Sequence, residues 1–227
     1  MLLGGNVISS VEFHGNMSLV FFMGGCPLSC RYCQNVELLE GGDETSLKEI
    51  KDIIDSSADF IDAVVVSGGE PLLQSKDILD ILAYAKGIGL KTKLDTSGIF
   101  PNKLKLILDE DVLDSISLDI KAPFSDYAKV VGKNVGDNVR QSMDLINEYD
   151  VEFEVRTTFV PTLITYEDMK FIAENIKADI YTLQQFRNRN VLDPALEKVE
   201  NPNAIELKEF AETLSSSFDG TIKIKTA

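Results

Sequence analysis

Tryptophan is absent, histidine occurs once, at His14, and cysteine occurs three times in 227 residues. A lone histidine leaves a zinc site of the usual paired Cys and His spacings short of ligands. Three cysteines cannot pair off, so a disulfide framework is excluded. Basic residues are scarce as well: 22 Lys and Arg against 37 Asp and Glu give a net charge of −15 with His14 neutral. The field of the whole molecule therefore opposes extended nucleic acid and anionic membrane, although a local site can still hold a small anion. No apolar run approaches the eighteen residues that a membrane helix requires, and Met1 leads into Gly4, Gly5 and Asn6 rather than a basic and then apolar stretch. Neither leader nor span is expected, and the chain reads as cytoplasmic. Gly/Ser-rich linkers, charge blocks and repeats are also missing, so residues 1–227 are expected to form one domain. Residues 1–17 then form an N-terminal lead-in, with a lid as one role open to it and His14 as a turn residue. With 44% hydrophobic and 26% charged residues, this length buries a full core and a cofactor, which excludes disorder and small stapled scaffolds.

What is present is concentrated. Cys26, Cys30 and Cys33 fall within eight residues, in the run from Gly24 to Asn35 with Tyr32 just before the last of them. Thiols this closely spaced in a reducing compartment serve as metal ligands or redox groups more often than as bridges. Around them, short apolar runs alternate with stretches of helical periodicity. Ser18–Met23, Ala63–Val66, Lys91–Leu94, Ile116–Ile120, Phe153–Val160 and Ile180–Leu183 are each followed by an amphipathic segment, and Ile222–Ile224 closes the series. Continuous apolar strands alternating with helices predict an α/β fold with a parallel sheet, six units making an open or partial barrel.

In such folds the chemistry gathers at the carboxyl ends of the strands. The first predicted strand runs into the cysteine loop, the second into Ser67-Gly68-Gly69-Glu70-Pro71, the third into Asp95-Thr96-Ser97-Gly98 and the fourth into Asp119-Ile120-Lys121-Ala122-Pro123. The fifth carries Arg156, and the sixth ends in Gln184-Gln185-Phe186-Arg187. A four-iron cluster takes four ligands, so three thiolates leave one iron open to a ligand bearing amino and carboxylate groups.

Cys-x3-Cys-x2-Cys with Tyr32 before the last cysteine, followed by a Gly-Gly-Glu strand end, resembles the radical S-adenosylmethionine superfamily across essentially the whole chain. That resemblance implies a partial (β/α)6 barrel, a [4Fe–4S] cluster on Cys26, Cys30 and Cys33, and S-adenosylmethionine as the ligand of the open iron. Tyr32-Cys33-Gln34-Asn35, Val66 to Pro71, Lys93 to Gly98, Asp119 to Phe124, Arg156-Thr157-Thr158 and Leu183 to Arg187 further resemble activating enzymes of glycyl-radical enzymes, especially those of anaerobic ribonucleoside-triphosphate reductase. The activity so implied is reductive cleavage of S-adenosylmethionine to a 5′-deoxyadenosyl radical, which takes hydrogen from one glycine of a partner enzyme. A low-potential donor such as ferredoxin or flavodoxin would supply the electron. Two loops depart from the family pattern: Glu12-Phe13-His14-Gly15 stands where Asp-x-Pro-Gly is usual, and Asn188 where Pro often follows Gln-Phe-Arg.

The resemblance assigns Gly68, Gly69 and Glu70 to the methionine amino group, Arg156 to its carboxylate, Gln185 to the vicinity of the ribose and adenine, and Tyr32 to cofactor binding. Lys121 joins the cofactor-binding set, and Asp95, Thr96 and Asp119 match carboxylates and a threonine that hold a monovalent cation in related enzymes. Plainer readings stand beside these. The cysteines could bind zinc, the glycines could serve a tight turn, the two aspartates could cap helices, Lys121 and Arg156 could be solvated rim charges, and Gln185 could satisfy backbone groups. A radical enzyme acting on a small molecule or peptide, of the queuosine-pathway type, and a non-catalytic metal-binding regulator are the alternative functions.

Overall fold

The computed structural model describes residues 1–226. The chain divides into two compact units, each assembled from several segments. The first comprises Met1–Pro27, Glu37–Thr96 and Asn102–Ser117. It contains β1 (Leu2–Ser9), β2 (Ser18–Met23), β3 (Asp43–Glu44), α1 (Leu47–Ser57), β4 (Ala63–Gly68), α2 (Ser75–Gly87), β5 (Lys91–Thr96) and most of α3 (Pro101–Leu108). Its strands run in the order β3-β1-β2-β4-β5. β2, β4 and β5 are parallel neighbours, while β1 is antiparallel to β2 and β3. The parallel strands are the near-continuous apolar runs that two covered faces require: Val20, Phe21, Val64, Val65 and Val66 are fully buried. Phe13, Val20, Ala63 and Val65 pack into one cluster with Phe22 against it. α1 starts at a capping box in which Ser46 and Glu49 satisfy each other's backbone N–H groups, and it turns Ile50 and Ile54 inward.

The chain continues through β6 (Ser115–Asp119) into the second unit, Leu28–Val36, Ser97–Pro101 and Leu118–Ala227. This unit holds α4 (Tyr127–Val131), α5 (Gly136–Ile146), β7 (Glu152–Phe159), α6 (Tyr166–Asn175), β8 (Ile180–Gln185), α7 (Ala204–Leu214) and β9 (Thr221–Lys225). β8 lies between β7 and β9, parallel to both. α6 begins at a second capping box, Thr165 with Asp168, and buries Met169, Ile172 and Ala173. Ser142 Oγ donates to the Gly98 carbonyl at 2.6 Å, which holds the turn beyond β5 onto α5.

The expected β/α alternation is present, with Ser18–Met23 at its expected bounds and the amphipathic segment after Ile180–Leu183 forming the helix Ala204–Leu214. Three strands run further than their apolar cores suggested, so Ser67-Gly68, Asp95-Thr96 and Gln184-Gln185 are final strand residues rather than loop. The lead-in is not shapeless: residues 2–9 form β1, which Gly4 and Gly5 had hidden from the strand pattern. Among the described residues no helix is long and apolar enough to cross a membrane.

Candidate active site

In the first unit the β4 end is fastened to the residue before Cys26. Glu70 N–H donates to the Gly25 carbonyl and Gly69 N–H to the Met23 carbonyl, both at 2.9 Å. The two backbones leave no room for side chains. A Cβ on Gly69 would lie 2.3 Å from Gly25 O, and one on Gly68, whose φ is +120°, would lie 2.3 Å from Met23 N. This close approach gives both glycines a packing reason for being there. Glu70 is fully buried, and its Oε1 accepts from Leu72 N–H at 3.0 Å and from Thr96 Oγ1 at 2.8 Å. Cys26 is half-buried, with its N–H directed to the Leu39 carbonyl at 3.3 Å.

Asp95 has a cation of the chain's own beside it. Lys93 Nζ lies 3.5 Å from Asp95 Oδ1, with both side chains only 4% exposed, and donates to the Glu12 carbonyl at 2.6 Å. Thr96 turns its hydroxyl to Glu70. The sequence reading passed over Lys93 as a site residue, yet period-two alternation had already put residues 93 and 95 on one face of β5.

In the second unit Cys30 is buried and Cys33 half-buried, and a 2.9 Å bond from Cys33 N–H to the Cys30 carbonyl closes the turn between them. Ser29 and Arg31 N–H groups donate to the Val131 and Val130 carbonyls, both at 3.2 Å. Tyr32 is buried, which lifts its phenol far above the ordinary range although the Lys121 charge pulls the other way. Cys30, Asp119 and Tyr127 are the other groups that act on it. Asp119 is the centre of a charge cluster: its Oδ1 accepts from Arg156 Nε at 2.8 Å and its Oδ2 from Lys121 Nζ at 3.3 Å. Burial alone would raise the Asp119 carboxyl, but the Arg156 and Lys121 charges and hydrogen bonds outweigh it and bring the group down to about 2. For Lys121 burial works against the charge, and Asp119, then Tyr32 and Cys30, overcome it and place the ammonium well above its usual range. Lys121 N–H also donates to Tyr127 Oη at 3.1 Å. Arg156 and Lys121 thus both face the Asp119 carboxylate, and either cation can hold an anionic group by a charge-assisted hydrogen bond. Gln185 Nε2 donates to the Pro202 carbonyl at 2.7 Å, the backbone-satisfying role weighed for it.

A folded pKa below the ordinary 3.8 means Asp119 adds stability above about pH 4 and loses it as pH falls through about 2. In thermal melts across pH, the protein is therefore expected to exceed Asp119→Asn in stability near neutrality, and the difference is expected to vanish below about pH 2. A gap that persists there would contradict the charge origin.

None of the three cysteines is in a disulfide, and no fourth cysteine accompanies them in the motif. Among the described residues no three His, Cys, Asp or Glu side chains are gathered as a ready-made metal site. The fit to a four-iron cluster therefore rests on donor chemistry: three soft thiolates and one iron left for another ligand. The sequence reading also missed Arg31, Gln34 and Asp193. Arg31 pairs with Asp193 at 2.7 Å across 162 residues of chain, a distance no local signal spans.

This α/β fold and cysteine loop belong to a known class: residues 20–176 match the Radical SAM superfamily model, and the chain belongs to that superfamily. It is 32% identical over 222 residues to "Putative glycyl-radical enzyme activating enzyme MJ1227" of Methanocaldococcus jannaschii, covering 95% of this chain and 92% of that protein. It is also 32% identical over 177 residues to the pyruvate formate-lyase-activating enzyme of Clostridium pasteurianum, covering 74% and 72%. Among solved structures, Streptococcus suis SuiB bound to precursor peptide SuiA superposes with a TM-score of 0.70 at 18% identity over 92% of this chain. The chain spans about half of SuiB, 48% of its length. TYW1 with a lysine-pyruvate adduct bound superposes with a TM-score of 0.68 at 15% identity, covering 92% of this chain and 77% of that one. At these identities the superpositions show the shared fold alone.

Proposed function

We propose that this chain activates a glycyl-radical enzyme by abstracting hydrogen from one glycine of that partner. The observation that carries the reading is the Asp119–Lys121–Arg156 cluster standing beside the Cys30–Cys33 turn in one unit, in a chain alike over nearly its whole length to a protein named as an activating enzyme. When bound, the cluster and S-adenosylmethionine supply one-electron reductive cleavage and a primary carbon radical. The chain's residues do the rest. Cys26, Cys30 and Cys33 hold the iron, and Arg156 and Lys121 hold the carboxylate of the methionine part while Asp119 keeps both cations oriented. Gly68, Gly69 and Glu70 offer the β4 edge to its amino group, and Tyr32 and Gln185 bound the nucleoside. A monovalent cation beside Asp95, Thr96 and Asp119 belongs to the same proposal. Exchanging potassium for sodium in the binding buffer is expected to alter cofactor affinity.

Anaerobic ribonucleoside-triphosphate reductase is the first candidate partner, because Gln184 to Arg187 and Asp119 to Pro123 resemble its activators. Ferredoxin or flavodoxin is the proposed donor and the cytoplasm the proposed compartment; the −15 charge supports a partner other than nucleic acid or membrane. The test is anaerobic incubation of reduced, reconstituted protein with S-adenosylmethionine and the reductase. A glycine-centred doublet in electron paramagnetic resonance is expected, with one 5′-deoxyadenosine per radical and slower activation at higher salt if the docking face is basic. Stoichiometric cofactor cleavage driven by a pterin or a peptide, with none driven by any glycyl-radical enzyme, would overturn the proposal in favour of a small-molecule or peptide-modifying enzyme.

A further inference from the structure

The segment 187–203 connects β8 to α7. It is built as a self-supporting strap. Asn188 N–H donates to Asn201 Oδ1 at 2.9 Å, and Asn188 Nδ2 donates to the carbonyls of Glu197 and Val199 at 3.2 and 3.0 Å. The short 3-10 helix Pro194–Lys198 is capped by Asp193, whose Oδ1 accepts from Ala195 N–H at 2.9 Å.

One edge of this strap lies along the cysteine turn. Leu192 N–H donates to the Cys33 carbonyl at 3.0 Å and Asp193 N–H to the Arg31 carbonyl at 2.9 Å. Gln34 Nε2 donates to the carbonyls of Arg187 and Arg189 at 3.0 and 3.2 Å. Arg31 directs both Nε and Nη2 to Asp193 Oδ2, at 2.8 and 2.7 Å. The Asp193 carboxylate thus joins two elements: one oxygen caps the strap's helix and the other grips the residue next to Cys30.

We infer that Arg31 and Asp193 are positioning residues for the cluster, the strap setting the Cys30–Cys33 turn through their ion pair. This rests on the four-iron reading of the cysteines. A four-residue turn with one internal backbone bond takes its remaining orientation from its neighbours, and on this side those neighbours are the strap's two N–H groups and one carboxylate. Neither residue reaches a ligand atom, so the effect passes through the main chain that carries Cys30 and Cys33. The pair is charge-assisted but partly open, with side chains 43% and 26% exposed, so salt weakens it.

The experiment compares the reconstituted full chain with Arg31→Met, Asp193→Asn and the double variant. Asn retains the capping oxygen and Arg31 caps nothing, so each single variant should fold, which far-UV circular dichroism before iron loading checks. The readout is the rate at which a ferrous chelator strips iron from the loaded protein, together with the reduced cluster's electron paramagnetic resonance signal. Each single variant is expected to lose iron about five- to tenfold faster than the unmodified chain, with a broadened signal. The double variant should be no faster than the worse single one, because the pair acts as a unit. High salt should speed iron loss from the unmodified chain and leave the variants unchanged. Iron loss at the unmodified rate in both single variants, or additive effects in the double, would overturn the inference while leaving the cluster reading intact. An unmodified chain that takes up zinc and no iron would overturn the cluster reading itself, and the inference with it.

Discussion

Replacing Cys26, Cys30 or Cys33 by Ala is expected to abolish S-adenosylmethionine cleavage outright, leaving no measurable 5′-deoxyadenosine. The loss is total because the three thiols are all the sulfur ligands the chain has. Two thiolates leave a second iron without protein support, and no cysteine elsewhere can substitute. Iron and sulfide analysis after anaerobic reconstitution, with the visible spectrum, checks the cause: one oxygen-labile four-iron cluster per unmodified chain and substoichiometric iron in each variant. Since no disulfide is lost and only Cys30 of the three is buried, each Ala variant should fold without the metal and keep its far-UV spectrum. Stoichiometric zinc with no iron in the unmodified chain would refute the expectation at its root.

Asp95→Ala is expected to cost about 3–5 kcal/mol of stability, because it removes one partner of a buried ion pair. Lys93 keeps its bond to the Glu12 carbonyl but loses the carboxylate 3.5 Å away, at a position 4% exposed. The resemblance gave Asp95, with Thr96 and Asp119, to a monovalent cation beside the cofactor. With Lys93 beside it, loss of cofactor binding in Asp95→Ala cannot be separated from loss of folding. The informative comparison is the double replacement Lys93→Met with Asp95→Ala, which removes both charges and is expected to recover most of the stability. Urea unfolding of the three variants measures this. A double variant as unstable as Asp95→Ala would show that the pair is not the source. By contrast, Arg156→Ala acts at a partly open cluster where Lys121 still pairs with Asp119, so its stability cost should be smaller and its effect on cofactor affinity cleaner.

Legibility followed sequence separation. The alternation of buried apolar runs with amphipathic stretches marked β2, β4 to β9 and six of the helices, because burial on two faces writes itself into consecutive residues. β1 was hidden because Gly4, Gly5 and Asn6 interrupt its apolar pattern, while pairing with β2 supplies the order that propensity does not. Of the candidate residues, those at strand ends were readable from motif position. Their partners were readable only when close in sequence: Lys93 with Asp95 was available from alternation, Asp119 with Lys121 from spacing. Arg156 with Asp119 and Arg31 with Asp193 depend on how β7 and the strap return to earlier strands, which no window of sequence contains.

The irregular first strand has a consequence for solubility. β3 covers only Leu2 and Leu3, so the flank of β1 beyond them could accept a strand from another molecule, with Val7 and Ile8 exposed at 46% and 47%. The pairing with β2 slips between Leu3 and Gly5, a bulge at which a Cβ on Gly4 would fall 2.0 Å from Leu38 Cδ2. A bulge bends its strand and strengthens the local twist, so an incoming straight strand loses alignment within a few residues. The glycines that disguised β1 in the sequence thus sit at the bulge that turns this flank away from pairing with a straight strand.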